Sequence, residues 1–260
     1  MKRFRPTKTR LKQKERIMKV EGKNAVRELL KTDKTIDKIL VENGQRDEQS
    51  RAIVNEAVKH GVKVQYVEKA VIDKESDTKR HQGFIAYTSD YEYADFDEMI
   101  DEVAGKQEAL LLVLDGIEDP HNLGSIIRVA ECAGADGIII GKRRSAQVTE
   151  TVMRVSAGGA NHVKIARVTN INAAIEKITA AGVWTYALEV GGGSVYDSDL
   201  RGKTAIVVGG EDTGVNRLTK EKCDGIITIP MFGKVNSLNA SVATAIAVFE
   251  CVRQRIKNAK

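Results

Sequence analysis

Cysteine is scarce in this 260-residue chain, and Cys132, Cys223 and Cys251 are odd in number and far apart. That excludes both a disulfide framework and the paired short spacings of a zinc site, and it leaves reduced, buried thiols as the expectation. Long apolar runs are missing too. No stretch approaches the roughly 20 residues that a membrane span needs, and the first residues carry no apolar segment of the signal-peptide kind. The expectation is a cytoplasmic chain with no membrane and no metal. Nucleotide motifs also fail. "VGGGSVYD" has Tyr196 where the third glycine of G-x-G-x-x-G belongs, and "DSDLRGKT" has Asp197 where a P-loop has its first glycine and precedes a strand. A dinucleotide or ATP site therefore has no support.

What is present is a globular composition. With 42% hydrophobic residues, the chain can bury a core in one or two domains. Its net charge of +5 is modest but unevenly spread: in "MKRFRPTKTRLKQKERIMK" nine of nineteen residues are Lys or Arg. Residues 1–19 read as a basic arm, either an RNA contact or a tail that aids solubility. Residues 20–88 alternate helical and strand patterns, as in "GKNAVRELLK", "IDKILVE", "DEQSRAIVNEAVKHG", "VKVQYV" and "HQGFIAYT". They predict a small α/β domain. Residues 89–108, acidic and without a strong apolar face, read as a linker of a helical turn or two. From 109 to 260 the strands are continuously apolar: "LLLVLD", "GIIIG", "HVKIARV", "VWTYALEV", "TAIVVGG" and "GIITIP". Such strands are buried on both faces, which marks a mostly parallel sheet covered by helices on each side.

Ligands of such sheets bind beyond the carboxyl ends of the strands, so three loops matter. In "LDGIEDPHNLGSIIRVAECAGA" Asn122 is placed as a helix N-cap, and Leu123, Ile126, Ile127, Ala130 and Ala133 form the apolar stripe. Arg128 lies off that stripe, and His121 lacks a partner at a diagnostic spacing. In "VVGGEDTGV" Gly209 and Gly210 permit close backbone approach, and Glu211 follows as a ligand group or a surface turn residue. In "IPMFGKVNSLNASVATAIAVFE" Asn236 or Ser237 can cap the last helix, whose buried stripe is expected at Val242, Ile246, Phe249 and Ile256. Two Asn and two Ser ahead of that stripe exceed the needs of one cap. The surplus can hydrogen-bond a base, a ribose or a carboxylate.

Taken in order, "DPHNLGSIIR", "GGEDTGV" and "IPMFGKVNSLNASVA" resemble the three motifs of the SpoU (TrmH) superfamily of RNA ribose 2'-O-methyltransferases. "HQG" at 81–83 and the leading domain resemble the bacterial branch that acts on a guanosine of 23S ribosomal RNA. The resemblance covers about residues 20 to 257. It implies a C-terminal sheet threaded as a deep trefoil knot, against the usual rule that chains do not knot. It also implies a homodimer whose active site is completed across the interface, and S-adenosyl-L-methionine held by backbone around Gly209, Ile229, Met231 and Leu238. The implied catalytic set is Asn122, Arg128, Glu211, Ser237 and Asn239. A guanidinium is hardly ever deprotonated, so Arg128 is assigned to a phosphate or the incipient alkoxide rather than to base catalysis. Ser237 and Asn239 are expected to orient the 2'-hydroxyl, Asn122 to position Arg128, and Glu211 to hold the arginine or the substrate. Asn236 stands where some members have Ser, and Lys234 is either a phosphate contact or solvated. The alternatives are a transfer RNA or resistance-type ribosomal RNA methyltransferase, and a non-catalytic RNA-binding assembly factor.

Overall fold

The structure is a computed structural model that describes residues 18–32, 34–89, 91–210, 213–235 and 237–258. Glu211, Asn236 and nearly all of the basic arm lie outside the described residues. In chain order the elements are β1 (Met18–Glu21), α1 (Lys23–Leu29), β2 (Thr35–Glu42), α2 (Glu48–Lys59), β3 (Lys63–Val67), α3 (Lys69–Glu75) and β4 (Phe84–Ser89). There follow α4 (Phe96–Ala104), β5 (Ala109–Asp115), α5 (Pro120–Cys132), β6 (Gly137–Gly141), α6 (Glu150–Val155), β7 (Ile165–Val168) and α7 (Ile171–Ala180). The chain ends with β8 (Trp184–Ser194), β9 (Lys203–Gly209), α8 (Arg217–Lys222), β10 (Gly225–Thr228) and α9 (Ala240–Asn258).

The first four strands form one sheet in the order β1-β4-β2-β3, with only β2 and β3 parallel. Side chains of a strand alternate between faces. Ile39 and Val41 of β2 meet Val26 of α1 and Ile53 of α2, whereas Leu40 packs with Ile72 of α3. The short strand β1 and helix α3 carry too few apolar residues to show in the sequence. Ile72 is the single fully buried anchor of α3.

The second sheet has six parallel strands in the order β10-β8-β9-β5-β6-β7. Its continuous apolar strands feed two cores. Leu110, Leu112 and Leu114 of β5, with Ile138, Ile140 and Ile206, pack under α5 and α9. Leu111 and Val113, with Ile139 and Val207, pack under α4 and α7. Residues 89–108 depart from the expected linker. Asp95 caps α4 by accepting from the N–H groups of Asp97 and Glu98, and Met99, Ile100 and Val103 are buried beneath it. Those three fall on one helical face, but interleaved acids mask the stripe. Ahead of α4, Ala94 forms a parallel bridge with Ala166, and Tyr91 Oη donates to the carbonyl of Ala160 at 3.0 Å.

The last helix is turned the other way from expectation. Val242, Phe249 and Ile256 are 47%, 46% and 60% exposed, while Thr244, Ala247, Val248 and Cys251 face the core. The small residues allow α9 to lie close on α5 and the sheet, so the bulky set is left outside. The thiols also differ in part. Cys132 is exposed, whereas burial pushes the Cys223 and Cys251 thiols up to about 12 and keeps them protonated and inert.

Candidate active site

The loops after β5, β9 and β10 meet at the carboxyl edge of the six-stranded sheet, and a buried carboxylate ties two of them. Asp115, at the end of β5, accepts from the Asn216 backbone N–H at 3.0 Å and from Asn216 Nδ2 at 2.8 Å. Its own carbonyl accepts from Gly210 N at 3.2 Å. Both ends of the loop, Gly210 and Asn216, are thereby tied to the neighbouring strand β5. Gly209 marks the tightest point. A Cβ there would lie 2.0 Å from the Gly214 carbonyl carbon and 2.1 Å from Val215 N, so no other residue fits without moving backbone.

Between the loops after β9 and β10 and the middle of β8 lies a cavity of about 450 Å³. It falls inside the roughly 300–1,000 Å³ range of small-ligand pockets. Gly209, Ile229, Met231 and Leu238, the four expected cofactor residues, all line it, and so does Ser237. Glu189, in the middle of β8 just past the last residue paired with β9, was not expected and also faces the cavity. Its carboxylate accepts from Val190 N and Val215 N, both at 3.1 Å. Gly214, at φ 62, leaves room for that carboxylate, since a Cβ would meet Glu189 Oε2 at 2.2 Å. Thr228 Oγ1 donates to the Glu189 carbonyl and accepts from Gly192 N, both at 2.7 Å, which locks β8 to β10. An apolar wall, one carboxylate and a rim of backbone and hydroxyl groups suit a ligand with a flat base, ribose hydroxyls and a positive charge. That donor set fits S-adenosylmethionine. Among the described residues, no cluster of three His, Cys, Asp or Glu side chains is placed to hold a metal ion.

The caps differ from the sequence expectation, and the difference changes two roles. Asp119, not Asn122, caps α5 by accepting from His121 N and Asn122 N, with Pro120 at the first helical position. Asn239, not Asn236 or Ser237, caps α9: its Oδ1 accepts from Ser241 N at 3.0 Å and Val242 N at 3.3 Å. The remaining amide group of Asn239 donates to Asn122 Oδ1 at 2.9 Å. Asn122 is thus freed from capping to join the loop after β10 to α5. Asn239 thereby bonds both to the first turn of α9 and to α5.

Arg128 stands apart from this pair. Six residues along a helix place it about 9 Å farther on and about 120° round from Asn122. Arg128 is exposed and makes no hydrogen bond or ion pair with the described residues, and it does not line its own chain's cavity. Gly159 packs beside its Cα, holding the backbone while the side chain reaches outward. His121 is exposed at the mouth of α5 with no side-chain partner among the described residues, and Lys234 is likewise exposed.

Comparison with known proteins agrees with this geometry. Residues 109–249 match the model of the SpoU rRNA Methylase family, and residues 19–94 match the model described as RNA 2'-O ribose methyltransferase substrate binding. A protein of Staphylococcus saprophyticus assigned to the TrmH family of tRNA/rRNA methyltransferases is 43% identical over 238 residues, spanning 91% of this chain and 95% of the relative. Among solved structures, the AdoMet-bound rRNA methyltransferase from Sinorhizobium meliloti is 26% identical with a TM-score of 0.58, covering 91% of this chain and 87% of that one. The SpoU methyltransferase AviRb from Streptomyces viridochromogenes, 22% identical, shares the fold with a TM-score of 0.60 over 93% of this chain and 91% of its own.

Proposed function

The chain belongs to the SpoU rRNA Methylase family and is an S-adenosylmethionine-dependent RNA methyltransferase; from that premise we propose that it methylates the ribose 2'-hydroxyl of a guanosine in 23S ribosomal RNA, in the cytoplasm. The observation that carries the reading is that Gly209, Ile229, Met231, Leu238 and Ser237 line one cavity, next to the loop that the Asn239–Asn122 bond ties to α5.

S-adenosylmethionine supplies an electrophilic methyl on a sulfonium. A ribose hydroxyl is a weak nucleophile, so the chain's task is to fix its direction and exclude water. The Ser237 hydroxyl, on the cavity rim, accepts the hydrogen bond of the 2'-hydroxyl and sets its lone pair toward the donor. The Asn239–Asn122 link holds the Ser237 loop against α5. Arg128 keeps its proton and stabilises negative charge on the reacting oxygen or the flanking phosphate. As the O–C bond forms, the hydroxyl proton leaves through the Ser237 hydroxyl to solvent, so the charge that Arg128 meets on the oxygen is partial and no strong base is needed.

A homodimer belongs to the same reading. Val242, Ile246, Phe249 and Ile256 recur on one face of α9, and Phe232 and Val235 in the preceding loop are 97% and 69% exposed. A second copy of the chain would cover this apolar strip. An arginine away from its own cavity suits a site completed by the partner protomer. The trefoil threading is also part of the proposal, supported by the close backbone crossing at Gly209 and by β10 reaching the sheet edge beyond β8 before α9 returns over α5.

The test is transfer of radiolabelled methyl to unmodified large-subunit RNA, small-subunit RNA and transfer RNA, followed by nuclease digestion. Label in 2'-O-methylguanosine from large-subunit RNA is expected. Label confined to transfer RNA would redirect the substrate assignment. Cofactor binding without transfer to any of these RNAs would favour an assembly factor.

A further inference from the structure

At the end of β6 the chain passes through Lys142, Arg143 and Arg144, all exposed. The segment to Val148 is held at five points. Lys142 N donates to the Val168 carbonyl at 2.9 Å, and Ala146 N donates to the Ile117 carbonyl at 2.7 Å. Gln147 Nε2 donates to the carbonyls of Gly141 at 3.0 Å and Ser145 at 2.9 Å, and Val148 N donates to Tyr93 Oη at 2.8 Å. Arg144 sits at φ 50, in the left-handed region, which costs a non-glycine residue roughly 1–2 kcal/mol. The surrounding bonds over-determine a conformation that the residue would not choose alone.

The position of the loop gives that rigidity a use. Through Ile117 it touches the loop between β5 and α5. Through Tyr93 it touches the segment leading out of the first sheet, where the Arg167 guanidinium stacks 4.0 Å over the Tyr93 ring and reaches Thr35 Oγ1 at 3.5 Å. The loop therefore spans the ground between the first sheet and the methyl-transfer edge. The Arg143 and Arg144 side chains make no hydrogen bond or ion pair with any described residue. Two guanidinium groups on a pinned backbone, with no partner among the described residues, present ten N–H donors in forked geometry to whatever polyanion crosses there (five per group).

We propose that Arg143 and Arg144 form a phosphate-binding site for the substrate RNA, gripping the backbone between the portion held by the first sheet and the target nucleotide. The inference rests on the RNA methyltransferase reading and adds the path of the strand. Because the backbone that carries the two side chains is fixed by the fold, only side-chain freedom is lost when the RNA docks, and the site helps to set the register of the target ribose over the cavity.

The experiment compares the full-length protein with an Arg143→Gln/Arg144→Asn variant. Asn is chosen at 144 because it tolerates the left-handed region. Filter binding to unmodified large-subunit ribosomal RNA transcript is followed from about 50 to about 200 mM salt. Loss of two phosphate contacts lowers the slope of log K against log salt by about 1.4 for single-stranded RNA and about 1.8 for a duplex. The KM for RNA rises on the order of tenfold, the affinity for S-adenosylmethionine stays constant, and an Arg143→Lys/Arg144→Lys variant recovers the slope. An unchanged slope in the neutral variant overturns the proposal. If the wild type transfers no methyl to RNA, the substrate reading fails, but the slope still decides whether these arginines hold phosphate.

Discussion

Removing the side chain of Asn239 should weaken the fold and the site together, and the size of the loss follows from its bonds. The Oδ1 atom caps α9 through Ser241 N and Val242 N, and Nδ2 donates to Asn122, which is only 7% exposed. An N-cap is worth about 1 kcal/mol. Depriving a buried amide oxygen of a donor costs about 1 kcal/mol more. Asn239→Ala should therefore lose about 2 kcal/mol, a fall of about 4–8 °C in Tm for a chain of this size. Asn239→Ser, which keeps a capping oxygen but cannot reach Asn122 as a donor, should lose about half as much. The assay is thermal melting together with urea unfolding, with Asn122→Ala and the double variant completing a cycle. A coupling near 1 kcal/mol is expected between residues in direct contact. A loss below about 0.5 kcal/mol for Asn239→Ala, or full additivity in the cycle, would refute the bond between the two motifs.

Three further changes separate parts of the account. Burial, the largest cause, raises the Asp37 carboxyl to about 6 against a lowering hydrogen bond from the Glu150 backbone, and its Oδ1 has no hydrogen-bond partner among the described residues. A carboxyl raised in the fold binds its proton more tightly there than when unfolded, so stability is greatest below the unfolded value near 4 and falls as pH rises through about 6. Asp37→Asn should gain on the order of 1 kcal/mol at pH 8, after discount for its partial exposure, and nothing at pH 4; melts across pH that show a constant gain would contradict this. Gly209→Ala would place a methyl 2.0 Å from the Gly214 carbonyl carbon, so calorimetry should find S-adenosylmethionine bound at least about tenfold more weakly. Phe249→Glu on the exposed face of α9 should convert a dimer to monomers in sedimentation and abolish transfer, whereas an unchanged dimer would place the interface elsewhere.

The catalytic sheet was legible in the sequence because its strands are apolar runs, of which β5, β6 and β9 are buried on both faces, whereas β8 and β10 toward the sheet edge leave Trp184 and Ile226 exposed; the loops those strands end in located the cavity, and the family resemblance supplied its lining residues. Other features had no such signature. In α4 the buried Met99, Ile100 and Val103 are diluted by five acids within nine residues and its cap. In α9 large apolar residues lie on one face and small ones on the other, and only the close approach to α5 decides which face is inside. The true cap of α5 was marked by Asp119 before Pro120, since proline favours the first helical position, but Asn122 drew attention through its motif. Asp115 at the end of β5 and Glu189 in the middle of β8 are single carboxylates. Their roles depend on N–H groups about 100 and about 25 residues away, a relation that local pattern does not carry.

That the loops make one methyl-transfer site shared by two protomers is tested most directly by complementation. Arg128→Ala and Ser237→Ala chains, each inactive alone, are unfolded and refolded together in equal amounts, and single-turnover transfer to unmodified large-subunit RNA is measured. Half of the refolded dimers are mixed, and each mixed dimer holds one intact site if Arg128 serves the partner's cavity. The account predicts recovery of about a quarter of wild-type activity. No recovery from a mixture shown to contain mixed dimers would contradict it.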